Sequence, residues 1–203
     1  MNLLLIRHAE AAPVLEETEG GSDPPLTELG REQSRRLGAW YGCETIDAIV
    51  ASPMKRAAET AEELARVCGL DVEYIDGLAE YDRAALTYVP AHMVDRDDPD
   101  YRMMIEEGTY VPGPGGEDPD AFRDRSVACV ESVVERFPGA TVAVVCHGGV
   151  INVYIAHLLR IPRMLWFYPE NTGVSRVAAA RSGQRTILSV NETGHLAGQR
   201  EPS

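Results

Sequence analysis

Two runs of unbroken apolar residues constrain this chain more than anything else in it. "NLLLI" at residues 2–6 and "VAVVC" at residues 142–146 have no polar alternation, so each predicts a strand buried on both faces of a mostly parallel sheet. Each run stops at nitrogen-rich side chains, Arg7 and His8 after the first and His147 after the second. The segments between them alternate helix and strand. "LTELGREQSRRLGAWYG" opens on Thr27 as N-cap and places Leu29, Leu37 and Trp40 near one face before Gly42 stops it. "IDAIVASP" predicts a strand ending at Pro53, and "MKRAAETAEELARVCG" a helix closed by Gly69. This is the rhythm of an α/β fold.

Further on, "DVEYI" at residues 71–75 predicts a short strand. Regular patterning then fades into prolines, glycines and acids over about residues 84–120, with one helix expected around residues 100–107. So long an excursion inside a compact chain is characteristic of a functional lid. Tyr88, Val89, Met93, Tyr101, Met103, Met104 and Tyr110 within it either face the apolar body of a substrate or form local core. A helix follows from Pro119, another begins near Gly149 after the second apolar run, and "GVSRVAAA" and "RTILSV" read as late strands. The tail "NETGHLAGQREPS" is expected to fray at its end. At 203 residues, with no linker or internal repeat, the chain is read as one domain, residues 1–203.

Composition excludes several classes. Acidic residues outnumber basic ones 32 to 19, and the net charge of −13 repels nucleic acid and anionic membranes, so neither is expected as a partner. No apolar stretch reaches the roughly 18 residues that a membrane span needs, and Met1-Asn2 leads into a strand without the basic region of a signal peptide. Cys43, Cys68, Cys129 and Cys146 form no C-x-x-C pair and are expected to be reduced and mostly buried, as in a cytoplasmic protein. Nothing in the sequence separates a monomer from a homodimer.

Open parallel sheets bind ligands at the carboxyl ends of their strands. Those ends deliver Arg7 and His8 from the first strand, Ser52 with Lys55 and Arg56 from the second, Glu80 after the third, and His147 from the fourth. Two arginines in an acidic chain point to an anionic substrate, because the guanidinium fork matches phosphate oxygens in a bidentate way. A neutral imidazole can attack phosphorus, a second can stabilise the transferring group, and a protonated carboxyl can expel an alcohol. Arginine and imidazole charge supplies the electrostatic stabilisation, so no metal or other cofactor is required. A metal-dependent hydrolase built on His8, His147 and Glu80 is disfavoured because the chain has no clustered ligand motif such as H-E-x-x-H.

These residues sit in motifs with a familiar order. "LLLIRHAEA" resembles the R-H-G signature of the histidine phosphatase superfamily, and "LTELGREQ", "VASPMKRAAETA", "LAEYD", "GPGGED", "VVCHGGVI" and "VNETGHL" are similar to later family segments in the same sequence order. The resemblance runs from residue 3 to about residue 196. It implies a three-layer α/β/α sandwich with a mostly parallel central sheet, the phosphoglycerate mutase-like fold. It also implies that His8 is the nucleophile, that Arg7 and Arg56 clamp the phosphoryl group with His147 and Gly148 at the same site, and that Glu80 is the proton donor. The activity implied is hydrolysis of a small phosphomonoester through phosphohistidine. Alternatives are mutase-type transfer, disfavoured by the single lysine, Lys55, and few arginines between Asp71 and Asp120, or a non-catalytic phospho-ligand binder. Two departures stand out: Ala9 replaces the family glycine and brings a methyl near the phosphate, and Ala12, Pro13 and Val14 occupy the region where many members carry an asparagine.

Overall fold

A computed structural model of the chain describes residues 1–19, 21–42, 45–110 and 112–197, apart from the side chain of Ala91. Its strands are β1 (Asn2–Arg7), β2 (Ala48–Ala51), β3 (Val72–Tyr74), β4 (Thr141–Cys146), β5 (Val174–Ala179) and β6 (Arg185–Glu192). The helices are α1 (Glu28–Tyr41), α2 (Lys55–Cys68), α3 (Pro99–Glu107), α4 (Pro119–Arg136) and α5 (Gly148–Leu159). The six strands form one sheet in the order β3-β2-β4-β1-β5-β6. β1 pairs parallel to β4, β4 to β2 and β2 to β3, whereas β5 runs antiparallel to both β1 and β6. Only β5 therefore opposes the common direction, and the carboxyl ends of β1, β2, β3 and β4 open on one edge.

The apolar runs do what their lack of alternation demands. In β1, Leu3 and Leu5 face one side and pack with Phe122, Val130 and Val133 of α4 and with Ile151 and Tyr154 of α5. Leu4 and Ile6 face the other, against Leu37 and Tyr41 of α1 and Ala57, Ala61 and Leu64 of α2. Val142 and Val144 of β4 join the first cluster and Ala143 and Val145 the second. Two helical layers thus sandwich the sheet, as expected of the three-layer arrangement.

Helix ends follow local chemistry. Thr27 caps α1 by accepting from Gly30 N at 3.0 Å, and Asp118 caps α4 by accepting from Asp120 N and Ala121 N, with Pro119 in the first turn. Gly69 closes α2 in the left-handed region at φ 69°. One sequence expectation for α1 fails. Leu29 and Trp40 are 44% and 57% exposed, and the buried face is Gly30, Gln33, Ser34, Leu37, Gly38 and Tyr41. Leu37 is buried as expected, and glycine is favoured where neighbours come close: a Cβ on Gly30 would sit 2.0 Å from Glu10 O, and one on Gly38 3.1 Å from Val67 Cγ2 of α2. The cysteine expectation also changes. Cys68, Cys129 and Cys146 are free thiols, but only Cys146 is buried; the other two are half-buried, and Cys43 lies outside the described residues. The end of the tail, from residue 198, lies outside them too, while Gly194–Leu196 form a 3-10 turn packed near α1.

The excursion after β3 carries α3 as predicted, bounded by Asp98 as N-cap and Gly108 in the left-handed region. α3 buries no residue. It is anchored at its end, where Met164 N and Leu165 N both donate to Gly108 O at 2.8 Å. Ahead of it, Tyr88 pairs with Val14 through two backbone hydrogen bonds of 2.8 Å, tying the early irregular segment to the excursion. Among the described residues no helix is long and apolar enough to cross a membrane.

Candidate active site

At the carboxyl edge of the sheet a cavity of about 450 Å³ opens above β1 and β4. Arg7, His8, Arg56, Glu80 and Gly148 all line it, so five of the six residues that the family resemblance assigned to the site are brought together. His147 lies one layer deeper. It is fully buried, its ring centroid is 5.1 Å from that of His8, and it does not form part of the wall. Lys55 points to solvent, and its backbone amide donates to Asp23.

His8 is 3% exposed, and its Nδ1 lies 2.7 Å from the carbonyl of Ala9. A carbonyl oxygen can only accept, so this nitrogen carries the proton and Nε2 carries the lone pair. Burial, then the charges of Arg56 and Arg7, push the His8 pKa well below its ordinary value, which keeps the imidazole neutral at pH 7. His147 is depressed in the same way by burial, Arg56, His8 and Arg7. Its Nε2 meets Ser52 Oγ at 2.8 Å, and its Nδ1 is buried without a partner.

The two arginines are held by one nitrogen each and left free at others. Arg7 Nη1 donates to Pro169 O at 2.6 Å, while its Nε has no partner. Arg56 is 1% exposed, and its Nη2 pairs with Asp82 at 2.8 Å while Nε and Nη1 have none. Each guanidinium also lies over a tyrosine ring, Arg56 at 4.6 Å from Tyr88 and Arg7 at 4.9 Å from Tyr168. Buried guanidinium N–H groups without acceptors are costly, and three such nitrogens around one imidazole, with Nδ1 of His147 as a fourth unpartnered nitrogen, define a region built for an anion.

Glu80 is 7% exposed and accepts from Gly149 N at 2.8 Å through Oε2. Burial raises its pKa, Asp82 adds to the rise, and the Gly149 amide and Arg56 oppose it, leaving the carboxyl at about 7. Gly149 is required here for closeness: a Cβ would land 2.3 Å from Glu80 Oε1.

Both departures from the family pattern are accommodated. Ala9 is fully buried, its amide donates to Thr60 Oγ1 at 3.0 Å, and it is not among the residues that line the cavity. Its backbone needs no glycine either, since the non-glycine residues at positive φ among those described are Arg160, Thr172 and Asn191. Val14, in the stretch lacking the asparagine, instead pairs with Tyr88 and thereby seats that ring over Arg56.

Sequence reasoning missed the groups that hold this edge from behind. Thr172 N reaches the carbonyls of Arg7 (3.1 Å) and His8 (3.3 Å), and Asn171 Nδ2 donates to His8 O at 3.1 Å. Thr172 adopts φ 56°, a strained choice for a β-branched residue, and its hydroxyl donates to Asn171 O at 2.7 Å. That hydroxyl also meets Nε2 of buried His195 at 2.8 Å, whose pKa burial lowers to about 4. The motif "VNETGHL" was visible in the sequence, but its link to His8 lies 187 positions back along the chain, beyond the reach of any spacing rule.

The histidine phosphatase superfamily (branch 1) model matches residues 3–193, and the chain belongs to that family. It is 30% identical over 200 residues to phosphoserine phosphatase 1 of Hydrogenobacter thermophilus, covering 97% of this chain and 94% of the relative. A probable phosphoglycerate mutase of Salmonella choleraesuis is 29% identical over 164 residues, covering 80% and 76% respectively. Among solved structures, YhfR of Bacillus stearothermophilus superposes with a TM-score of 0.79 at 26% identity, covering 96% of this chain and 98% of that one. A mycobacterial glucosyl-3-phosphoglycerate phosphatase in complex with inorganic phosphate gives 0.76 at 25% identity, covering 97% and 99%.

Proposed function

We propose that the protein is a phosphomonoester hydrolase that works on a small phosphorylated metabolite through a phosphohistidine at His8. The observation that carries this reading is the set of buried, unpartnered nitrogens on Arg7, Arg56 and His147 around a neutral imidazole whose Nε2 holds the lone pair. A phosphate dianion supplies the acceptors those nitrogens lack.

In the first step Nε2 of His8 attacks phosphorus, an N–P bond forms and the ester P–O bond breaks. Arg7, Arg56 and His147 take up charge on the transferring oxygens. Glu80, with a pKa of about 7, is protonated often enough at neutral pH to give its proton to the departing alkoxide. In the second step the resulting carboxylate takes a proton from water as the oxygen bonds to phosphorus, the N–P bond breaks, and inorganic phosphate leaves. Gly148 lines the floor, where no side chain intrudes on the phosphoryl group.

Hydrolysis is favoured over mutase-type transfer because the cavity mouth carries exposed Val89, Ile105 and Tyr168, which leaves water a path, and because arginine supplies all the cations of its wall. The whole chain is read as one domain, with about residues 84–120 as a lid whose helix α3 faces the mouth. Free thiols at the described cysteines suit a cytoplasmic setting. A homodimer is compatible with this site, whose described lining residues all belong to one chain.

Turnover of p-nitrophenyl phosphate, with a phosphoenzyme trapped by alkaline quench and located on His8 by peptide mass spectrometry, is the expected result. Tight phosphate binding with no turnover would establish the silent binder instead. Bisphosphate-dependent conversion of 3-phosphoglycerate without phosphate release would establish the mutase.

A further inference from the structure

The cavity continues well past the phosphate end, and its outer wall has a different chemistry. Met104 and Ile105 of α3 line it, together with Leu165, Trp166 and Phe167. Ile105 is 58% exposed although it borders the cavity. Apolar side chains that line an open cavity, in a chain with a net charge of −13, are surface waiting for an apolar body.

The aromatic side of this wall is fixed. Asn152 Oδ1 accepts from Trp166 N (3.0 Å) and Phe167 N (3.2 Å), while its Nδ2 donates to Phe167 O and Gly148 O, both at 3.0 Å. Its full hydrogen-bonding capacity is thereby spent on the wall. The Trp166 and Phe167 rings then lie 4.6 Å apart between centroids. Because Gly148 is also part of the phosphate end, one buried side chain sets the spacing between the two ends of the cavity.

Charged groups are scarce beyond the phosphate. Asp82 is committed to Arg56, and Arg163 is, among the described residues, the one cation of the outer wall, with its guanidinium turned to the carbonyl of Glu106. A substrate carboxylate entering here would meet aromatic and thioether surface, at a desolvation cost that an alkyl or aryl body does not incur.

We propose that this site selects phosphomonoesters of apolar alcohols, alkyl or aryl, over those carrying a carboxylate or a sugar; the proposal rests on the phosphatase reading above. Primary n-alkyl phosphates test it cleanly, because their leaving alcohols differ little in acidity and only apolar area changes along the series. Each methylene taken into the wall is worth roughly fourfold in kcat/KM. Values are expected to climb by on the order of a hundredfold from ethyl to hexyl phosphate, and butyl phosphate should exceed O-phosphoserine and 3-phosphoglycerate at least tenfold. In Met104→Glu and in Ile105→Glu the hexyl-to-ethyl ratio should fall about tenfold, a ratio that is independent of how much enzyme is folded. A flat series with measurable turnover would overturn this inference alone. A preference for the carboxylated esters that disappears in Arg163→Ala would also overturn it, and would make Arg163 a carboxylate reader. Failure to hydrolyse any ester, including p-nitrophenyl phosphate, would remove the phosphatase reading and this inference with it.

Discussion

The two ends of the cavity are built on opposite physical terms. At the phosphate end Arg7, His8 and His147 hang from strand tips, Arg56 from the first turn of α2 and Glu80 from the loop after β3; all are buried, and most are held from behind, Arg7 by Pro169, Arg56 by Asp82, Glu80 by the Gly149 amide and His147 by Ser52. At the outer end the lining comes from α3 and the loop at residues 165–167, and α3 contributes no buried residue. Reaction chemistry demands charges fixed to within fractions of an ångström, which a six-stranded sheet can supply. Selectivity demands only a surface of the right polarity, and loops can change that surface without disturbing the sheet. Mutations in the two regions should therefore fail differently: inner ones alter the rate of the chemistry, uniformly or according to leaving-group acidity, and outer ones alter the ranking of esters by apolar area.

The largest effect is expected at His8. His8→Ala removes the acceptor of the phosphoryl group, and activity should fall by roughly 10⁴-fold or more, as happens when a covalent nucleophile is deleted. Steady-state turnover and the alkaline-quench label should vanish together; residual phosphoenzyme in the variant would assign the nucleophile elsewhere. Next comes Arg56→Ala. Loss of one preorganised donor costs about 2 to 4 kcal/mol, so kcat/KM should drop roughly 30- to 1,000-fold for alkyl and aryl esters alike. A drop confined to the longer alkyl esters would place Arg56 in the selective wall and erase the contrast drawn above.

Glu80 sharpens the comparison through pH and leaving group. Glu80→Gln cannot donate a proton, so hydrolysis of ethyl phosphate should slow by about 10²- to 10³-fold, and that of p-nitrophenyl phosphate, whose phenolate leaves unaided, by less than about tenfold. In the native protein, kcat for alkyl esters should decline as pH rises through about 7, where the acid loses its proton. Stability carries the same signature. A carboxyl whose folded pKa lies above its unfolded value of 4.5 destabilises the fold as pH climbs from about 4.5 to 7, because the unfolded chain gives up that proton first. Glu80→Gln should thus stabilise the protein by roughly 2 to 4 kcal/mol at pH 8 and by little at pH 4.5, read from denaturant melts at both values. An equal gain at both would mean that the carboxyl is not strained by burial.

Much of the inner end was legible in the sequence because its signals are local. A strand without alternation must be covered on both faces, and a histidine directly after it must stand at the carboxyl edge. That reasoning placed Arg7, His8, Ser52, Arg56 and His147 without coordinates. The outer end was not legible for a physical reason. Whether Met104 or Tyr110 faces a ligand or a core depends on how the excursion folds back: Met104 lines the cavity, while Tyr110 is 4% exposed and stacks on Tyr81 at 3.9 Å. Apolar residues in such a segment look alike in sequence. α1 misled in part for a related reason: helical periodicity selected Leu29, Leu37 and Trp40, but only Leu37 is buried, and the close approach of Glu10 and of α2 put Gly30 and Gly38 on the inner face. Asn152, Thr172 and His195 were invisible because their partners come together only in the fold: Trp166 and Phe167 for Asn152, the carbonyls of Arg7 and His8 for Thr172, and the Thr172 hydroxyl for His195.

The smallest effect tests whether the inner end owes its rigidity to that distant support. The 171–173 turn holds the carbonyls of Arg7 and His8, and its strained member Thr172 is braced by His195 through one hydroxyl. His195→Ala removes the brace and leaves every group of the cavity in place. Losing one buried hydrogen bond and its packing should cost roughly 1 to 3 kcal/mol of stability. kcat should fall by only about three- to tenfold with KM nearly constant, because the turn no longer pins His8 at a single distance from phosphorus. His195→Gln, whose amide can donate to the Thr172 hydroxyl, should recover most of the kcat. Hydrogen exchange supplies the second reading: the amides of Thr172 and His8 should lose protection in His195→Ala, while those of α3 should exchange as before. If α3 amides changed and those of β1 did not, the support would belong to the mouth, and the division between a fixed chemical end and an adaptable selective end would have to be redrawn.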